Sequence, residues 1–412
     1  MTSEPTEVFV WVWLPGATEP VVAGLLTPSG SVIDFGYGLS YLGRENAVPL
    51  YLPELPLQEE TLSPSVGNIA GCIDDAGPDS WGMRVILNRL LGEGSEPSDL
   101  GPLSYLIESG SNRIGALDFQ LSATRYIPRG DGPVTLEQLA EAAVMVERGE
   151  RLPPELDQAL LHGSSAGGAR PKAVLHDGDR QLIAKFSSTT DTYPVVKAEF
   201  VAMELARRAS LDVAKVELAR VMHKDVLMVE RFDRLPGGRR KAMVSAMTIL
   251  GLNENSAIFA SSYYDLGTAI LERFTSPAAT LAELFSRITF NILVGNNDDH
   301  ARNHAAFWDG VNETLTLTPA YDIAPTPRAG GEAQQLMAIG DDGWRMSQVA
   351  GCVERAGLYR LSEAEARFIV DNQIEVIRAE WDPVCDLASV SSAERQLMWG
   401  RQFLNEYALY DY

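Results

Sequence analysis

Residues 295–308, GNNDDHARNHAAFW, place two aspartates, three asparagines and two histidines directly after an apolar run. Asp298 and Asn303 stand five apart, and Asp322 follows nineteen residues later in TLTPAYDIAPT. A carboxylate can take the proton of an attacking hydroxyl, whereas an amide oxygen and a second carboxylate are the hard donors that Mg²⁺ prefers. Phosphoryl transfer asks for little beyond positioning and charge neutralisation, so these three oxygen donors are nearly a full base-and-metal set. The plainer alternative is that Asp299 and the asparagines are turn formers or a helix N-cap. Lys185, in QLIAKF, could offer a cation to phosphate oxygens, or could simply face water from a strand.

Several elements must hold these groups. In LAELFSRITFNILVG the apolar residues Leu281, Leu284, Phe285, Ile288 and Ile292 recur at helical spacing, and Gly295 ends the helix. The polar cluster is therefore a loop at a helix C-terminus, free to face a cleft. D-x-x-x-x-N is also the spacing of the protein-kinase catalytic loop, and Asp322 falls after a short β-like run, where a kinase carries its metal-binding aspartate. Asp177-Gly178 lies between two alternating runs and predicts a hairpin whose second strand carries Lys185. Upstream, GSSAGGAR supplies Gly167 and Gly168, small enough for backbone N–H groups to approach phosphate oxygens, although no Walker A pattern is present. The helix YPVVKAEFVAMELARRASL offers Glu199 as the partner of Lys185, with Glu204 second. VERFD, residues 229–233, with Glu230 and Phe232, ends a strand just before a PGG turn, where a two-lobed kinase has its hinge. Nearer the N-terminus, short β-rich runs over residues 8–40 read as a meander or barrel. Residues 78–92 read as a helix capped by Asp79 or Ser80 and closed by Gly92, and Thr135 with Gln138 predicts a capping box.

The bulk properties bound these readings. A chain of 412 residues holds two or three domains, and 45% hydrophobic with 22% charged residues is a soluble, globular composition. No run approaches a membrane span, and MTSEPTEVFV has neither a secretory nor a transit pattern, which predicts a cytoplasmic protein. Cys72, Cys352 and Cys385 are widely spaced, suit a reducing compartment and read as core thiols, with no zinc-type pair. A net charge of −22 argues against direct nucleic-acid binding as the main task. An anionic ligand would need placed cations, backbone N–H groups or a metal.

In fixed order, SSAGGARPKAVL, LIAKF, VERFD, GNNDDHARN and PAYDIAPT resemble the HipA family of bacterial toxin serine/threonine kinases. PDSWGMR and RIGALDF resemble that family's N-terminal region, and the likeness runs over residues 8–385. The resemblance implies an α+β, bilobal protein-kinase-like fold. Residues 1–120 would form an N-terminal β-rich subdomain, 121–235 a mixed α/β, ATP-binding N-lobe with the Gly-rich loop, and 236–412 an all-helical catalytic C-lobe. It implies Asp298 as base, Asn303 and Asp322 as Mg²⁺ ligands, and Lys185 on the ATP phosphates beside Gly167, Gly168 and Glu199, with Glu230 and Phe232 at the adenine. The family's autophosphorylated serine maps onto Ser165, with Ser164 adjacent; a phosphate there adds about −1.5 to −2 charges and should expel the loop and block ATP. The implied partners are a HipB-like helix-turn-helix antitoxin, operator DNA reached mainly through that antitoxin, and a protein substrate, typically an aminoacyl-tRNA synthetase. No membrane partner is implied.

The segment KAMVSAMTILGL, 241–252, departs from the HQED-type segment of some members, and the eukaryotic G-x-G-x-x-G-x-V, H-R-D and D-F-G signatures are absent. His300 and His304 are ambiguous from the sequence; a brace that holds the loop by hydrogen bonds is the favoured reading of His300, with a direct part in the chemistry as the alternative. Three rival readings share some of these residues: a small-molecule phosphotransferase with a kinase-like fold, a metal-dependent phosphohydrolase, and a pseudokinase scaffold. The histidine-poor D-H order disfavours the second, and the filled catalytic positions disfavour the third.

Overall fold

The computed structural model describes residues 4–412 apart from 93, 131–133, 151, 154–155, 157–169, 189–190 and 328–330. The chain divides into two compact units that interleave in sequence. The first comprises Met1–Thr190, Ala219–Val244 and Phe307–Glu313; the second comprises Asp191–Leu218, Ser245–Ala306 and Thr314–Tyr412.

The first unit opens with an antiparallel sheet ordered β3-β2-β1-β4, made of β1 (Val8–Val12), β2 (Val21–Ser29), β3 (Val32–Tyr37) and β4 (Leu117–Gln120). β1 is paired on both sides, with Val10 opposite Gly24 and Phe119, and such a central position suits the nearly unbroken apolar run VFVWV. Gly24 is needed there, because a Cβ would sit 2.2 Å from the Gly36 carbonyl oxygen.

A second sheet, ordered β5-β6-β8-β7, contains β5 (Lys172–Asp177), β6 (Arg180–Phe186), β7 (Val216–Val221) and β8 (Lys224–Glu230). The predicted hairpin joins β5 to β6: Asp177 pairs with Arg180 across a two-residue turn in which Gly178 has φ +58. Leu182, Ala184 and Phe186 share a core with Trp81 and Val85 of the Ser80–Leu90 helix and with Leu139, Ala143 and Val146 of the Leu136–Glu147 helix. Both helix starts follow the sequence. Asp79 accepts a hydrogen bond from the Gly82 N–H at 3.2 Å, and Thr135 and Gln138 cap each other reciprocally at 3.0 and 3.2 Å. Gly92, φ +87, closes the first helix by donating to the Leu87 carbonyl.

Helices dominate the second unit, notably Val195–Arg208, Tyr263–Arg273, Pro277–Leu293 and Glu363–Leu387. All five apolar positions read from the Pro277–Leu293 pattern are fully buried. The region 236–412 is not wholly helical: β9 (Met243–Ser245), β10 (Ala305–Asp309) and β11 (Thr314–Leu317) form a short sheet ordered β11-β10-β9, from the β-rich runs AAFWD and TLTL. All three cysteines are buried and unpaired. No described helix is long and apolar enough to cross a membrane.

Candidate active site

The loop after the Pro277–Leu293 helix is built by sorting its polar groups into anchors and one projecting acid. Gly295 adopts φ +71, and a Cβ there would lie 2.7 Å from the Gln402 carbonyl oxygen, so only glycine lets the chain turn this close to the C-terminal segment. Asn296, 1% exposed, donates to the Asn291 side-chain oxygen at 3.1 Å. The Asn291 amide in turn donates at 2.8 Å to Oδ2 of Asp299, which also accepts from the Tyr263 hydroxyl and lies 2.8 Å from Nε2 of His304. Burial would raise the Asp299 carboxyl, but His304, Tyr263 and His300 together hold it below the usual carboxylate range. Asn297 accepts from the Ser347 hydroxyl at 3.1 Å. Asp299 and these asparagines are thus structural members of the loop, and His304 serves Asp299.

Asp298, between Asn297 and Asp299, is exposed. Partial desolvation raises its carboxyl above the usual range; His300 opposes the rise, and the negative charges of Asp322 and Asp299 add to it. The exposure of the side chain keeps this effect modest. Asp298 is therefore an exposed carboxyl carried on a backbone that Asn291, Tyr263 and His304 fix through its neighbour Asp299.

Asn303 lies in the 3-10 turn Ala301–Asn303 and donates its N–H to the His300 carbonyl at 2.8 Å. Its chain neighbour Arg302 offers its carbonyl to the Tyr321 hydroxyl at 2.8 Å, which ties the side chain of the residue before Asp322 to the backbone beside Asn303. Asp322 has φ +60, a left-handed conformation that costs a non-glycine residue about 1–2 kcal/mol. Such strain persists where surrounding contacts enforce it. Here they include Ala320, hydrogen-bonded to Asp212 and Ala214, and the Asn296 amide on the Asp322 carbonyl at 3.4 Å. Asp298 and Asp322 are close enough for their charges to interact, and carboxylate and amide oxygens are donor types that suit a hard dication. Among the described residues no three His, Cys, Asp or Glu side chains could hold an ion by themselves. An ion completing its shell with ligand oxygens, as Mg²⁺ does with phosphates, fits this set.

In the first unit, Lys185 is half-buried on β6, opposite Lys172 on β5 and Leu227 on β8. Directly opposed residues in antiparallel strands share a face, so the two lysine side chains leave the sheet on the same side. The sequence reading passed over Lys172. It is 1% exposed, and its Nζ lies 3.3 Å from Oδ2 of Asp79. A lysine inside a strand pattern after a Gly-rich run was the available signal; Asp79, 93 positions away, gave none. Gly167, Gly168, Ser164 and Ser165 lie outside the described residues.

Glu230 ends β8 opposite Leu182, with its carboxylate 3.9 Å from the Arg180 guanidinium. Phe232 stands edge-on to Phe307 at 5.9 Å. Between and beyond them, Arg231 and Asp233 are buried in a network that ties VERFD to SNRIGAL. Asp233 accepts from Arg231, Arg234 and the Gly115 N–H at 2.7–2.9 Å, while Arg231 also donates to Asn112 and to the Arg113 carbonyl. A second pair lies in the same region, Arg113 with Asp118 at 2.7 Å and both side chains fully buried. Burial pushes the Asp118 carboxyl up, but Arg113 and Arg129 bring it down to about 2. In the second unit, Glu199 is 3% exposed on the Val195–Arg208 helix, and Glu204 is already held by Arg207 and Arg208.

Comparison with known proteins agrees with the motif order. A family model described as the HipA-like C-terminal domain matches residues 164–381, more than half of the chain. The serine/threonine-protein kinase toxin HipA of Shewanella oneidensis is 25% identical over 279 residues, covering 58% of this chain and 64% of that protein. Y4dM of Sinorhizobium fredii, provisionally named a kinase, is 27% identical over 209 residues, covering 46% of this chain and 48% of that one. The alignments thus span about half to under two thirds of these relatives. A solved Shewanella oneidensis MR-1 complex of HipA, HipB and operator DNA contains a chain that superposes with TM-score 0.69 at 19% identity, covering 97% of this chain and 99% of the other. That likeness establishes a common α+β fold.

Proposed function

Because the chain belongs to the HipA-like C-terminal domain family, we propose that it is a Mg-ATP-dependent serine/threonine protein kinase and the toxin of a type II toxin–antitoxin module. Its substrate is a translation component such as an aminoacyl-tRNA synthetase. The observation that carries the reading is the division of labour in the 295–304 loop: Asp299 is anchored by three side chains, and Asp298, raised by partial desolvation and by Asp322, projects from that anchor. In this reading Asp298 takes the proton of the attacking serine hydroxyl as its oxygen bonds to the γ-phosphorus and the bridging bond to ADP breaks. Asn303 and Asp322 would hold Mg²⁺, which neutralises phosphate charge when bound. Lys185 and the Gly167–Gly168 backbone would face the phosphates, Glu199 would brace Lys185, and Glu230 and Phe232 would border the adenine.

The acidic chain, at −22, suits a toxin that reaches operator DNA through a HipB-like antitoxin instead of by itself. A cytoplasmic location belongs to the same reading. Incubating the purified protein with γ-labelled ATP, Mg²⁺ and a cell extract tests it. The expected result is label on one extract protein and on the chain itself, with the self-label lost in Ser165→Ala. Label confined to small molecules would favour the phosphotransferase alternative, and self-label persisting in Ser165→Ala would move the modified position to Ser164 or elsewhere.

A further inference from the structure

The PDSWG segment has no place in the chemistry described so far, yet it grips one residue at two points. Trp81, fully buried in the core beneath the second sheet, donates its indole N–H to the Lys172 carbonyl at 3.1 Å. Asp79 divides its two oxygens: Oδ1 caps the Ser80–Leu90 helix through the Gly82 N–H, and Oδ2 takes the Lys172 ammonium at 3.3 Å. Lys172 begins β5, the end strand of its sheet, and stands opposite Lys185. Two like charges directly opposed across strands repel, and burial of one of them adds a desolvation cost. A carboxylate fixed by a helix N-terminus offsets that cost at Lys172, and an anion lying over both lysines would be attracted to the pair.

The geometry points to Asp79 as a positioning residue for nucleotide binding: it holds Lys172 so that Lys172 and Lys185 present a paired cationic face to the phosphates. This rests on the nucleotide reading above. It also gives the N-terminal region a direct part in ligand binding, through a side chain 93 positions before the lysine that it orients.

Asp79→Asn separates the two tasks, because asparagine caps a helix about as well as aspartate but brings no charge to Lys172. The full chain is titrated with Mg-ATP and, separately, with adenosine, and its melting temperature is recorded. The expected result is roughly tenfold weaker Mg-ATP binding in Asp79→Asn with adenosine binding unchanged, since only the phosphate contact is lost, together with a lower melting temperature because the buried Lys172 ammonium loses its carboxylate. In a Lys172→Met background the further change Asp79→Asn should add nothing, as expected when one residue acts through the other. Equal weakening for adenosine and Mg-ATP, or full additivity in the double variant, would make Asp79 a structural cap and overturn the proposal. Unchanged Mg-ATP binding in Asp79→Asn would also overturn it while leaving the kinase reading intact. A wild-type chain that binds no Mg-ATP would remove the nucleotide reading and the proposal together.

Discussion

If Asp298 is the general base proposed above, Asp298→Ala is expected to lower phosphoryl transfer by ~10²–10⁴-fold, the usual contribution of such a group, while the protein stays folded. The separation of the two effects follows from the loop. Its shape is set by Asp299, Asn291, Tyr263, His304 and Gly295, none of which needs the exposed Asp298 side chain. A carboxyl whose pKa is raised in the folded protein binds its proton more tightly there than in the unfolded chain. Its ionised form at neutral pH is therefore a cost to folding, so Asp298→Asn should melt at or above the wild-type temperature. The same direction fixes the pH profile. Desolvation, the largest cause of the rise, persists when Asp322 holds a cation, and a base works only when ionised, so activity should fall with decreasing pH before the ordinary aspartate value of about 3.9 is reached. Initial rates of labelled phosphate transfer across pH, with thermal melts of each variant, check both parts. A variant that is inactive because it is unfolded, or one that retains full activity, would contradict the assignment.

Asp233→Ala is the substitution expected to cost most in stability. Asp233 is 2% exposed and is the shared acceptor of Arg231, Arg234 and the Gly115 N–H; burial opposes its ionisation, but the two guanidinium groups hold its carboxyl far below the usual range. Removing one partner of a buried ion pair leaves uncompensated charge, at a cost of about 3–5 kcal/mol. Two arginines are stranded here, and the tie between SNRIGAL and VERFD is cut at the same time. Denaturant unfolding of Asp233→Ala measures the loss, with Asp309→Ala as the control, because Asp309 is an acid at a surface turn that accepts from its near neighbours Val311 and Asn312. A change below 1 kcal/mol would mean that the network contributes little.

What could be read in the sequence was local. The helix over Pro277–Leu293 announced itself because its buried face repeats with the helical period, and the β5–β6 hairpin did so because Asp177-Gly178 supplies the turn chemistry that joins two short strands. The capping box at Thr135 is likewise a three-residue signal. Long-range pairing was illegible. Nothing near Arg231 forecasts Asn112, 119 positions earlier, and nothing near Asp299 forecasts Tyr263. These contacts exist only once the fold has brought distant polar groups into a shared dry interior, where each must find a partner. The same limit concealed the interleaving of the two units, in which residues 191–218 join the second and 307–313 the first. Within the polar loop, residue types alone could not say which of Asp298 and Asp299 projects and which anchors; burial decided it.

The central claim is that Asp322, with Asn303, serves a magnesium-bound nucleotide. Calorimetric titration of the full chain with a non-hydrolysable ATP analogue, with and without Mg²⁺, tests it most directly in the wild type and in Asp322→Ala. Saturable binding that Mg²⁺ strengthens in the wild type, with the Mg²⁺ effect abolished in a folded Asp322→Ala, is the predicted result. Absence of binding to the wild type, or an undiminished Mg²⁺ effect in Asp322→Ala, would contradict it.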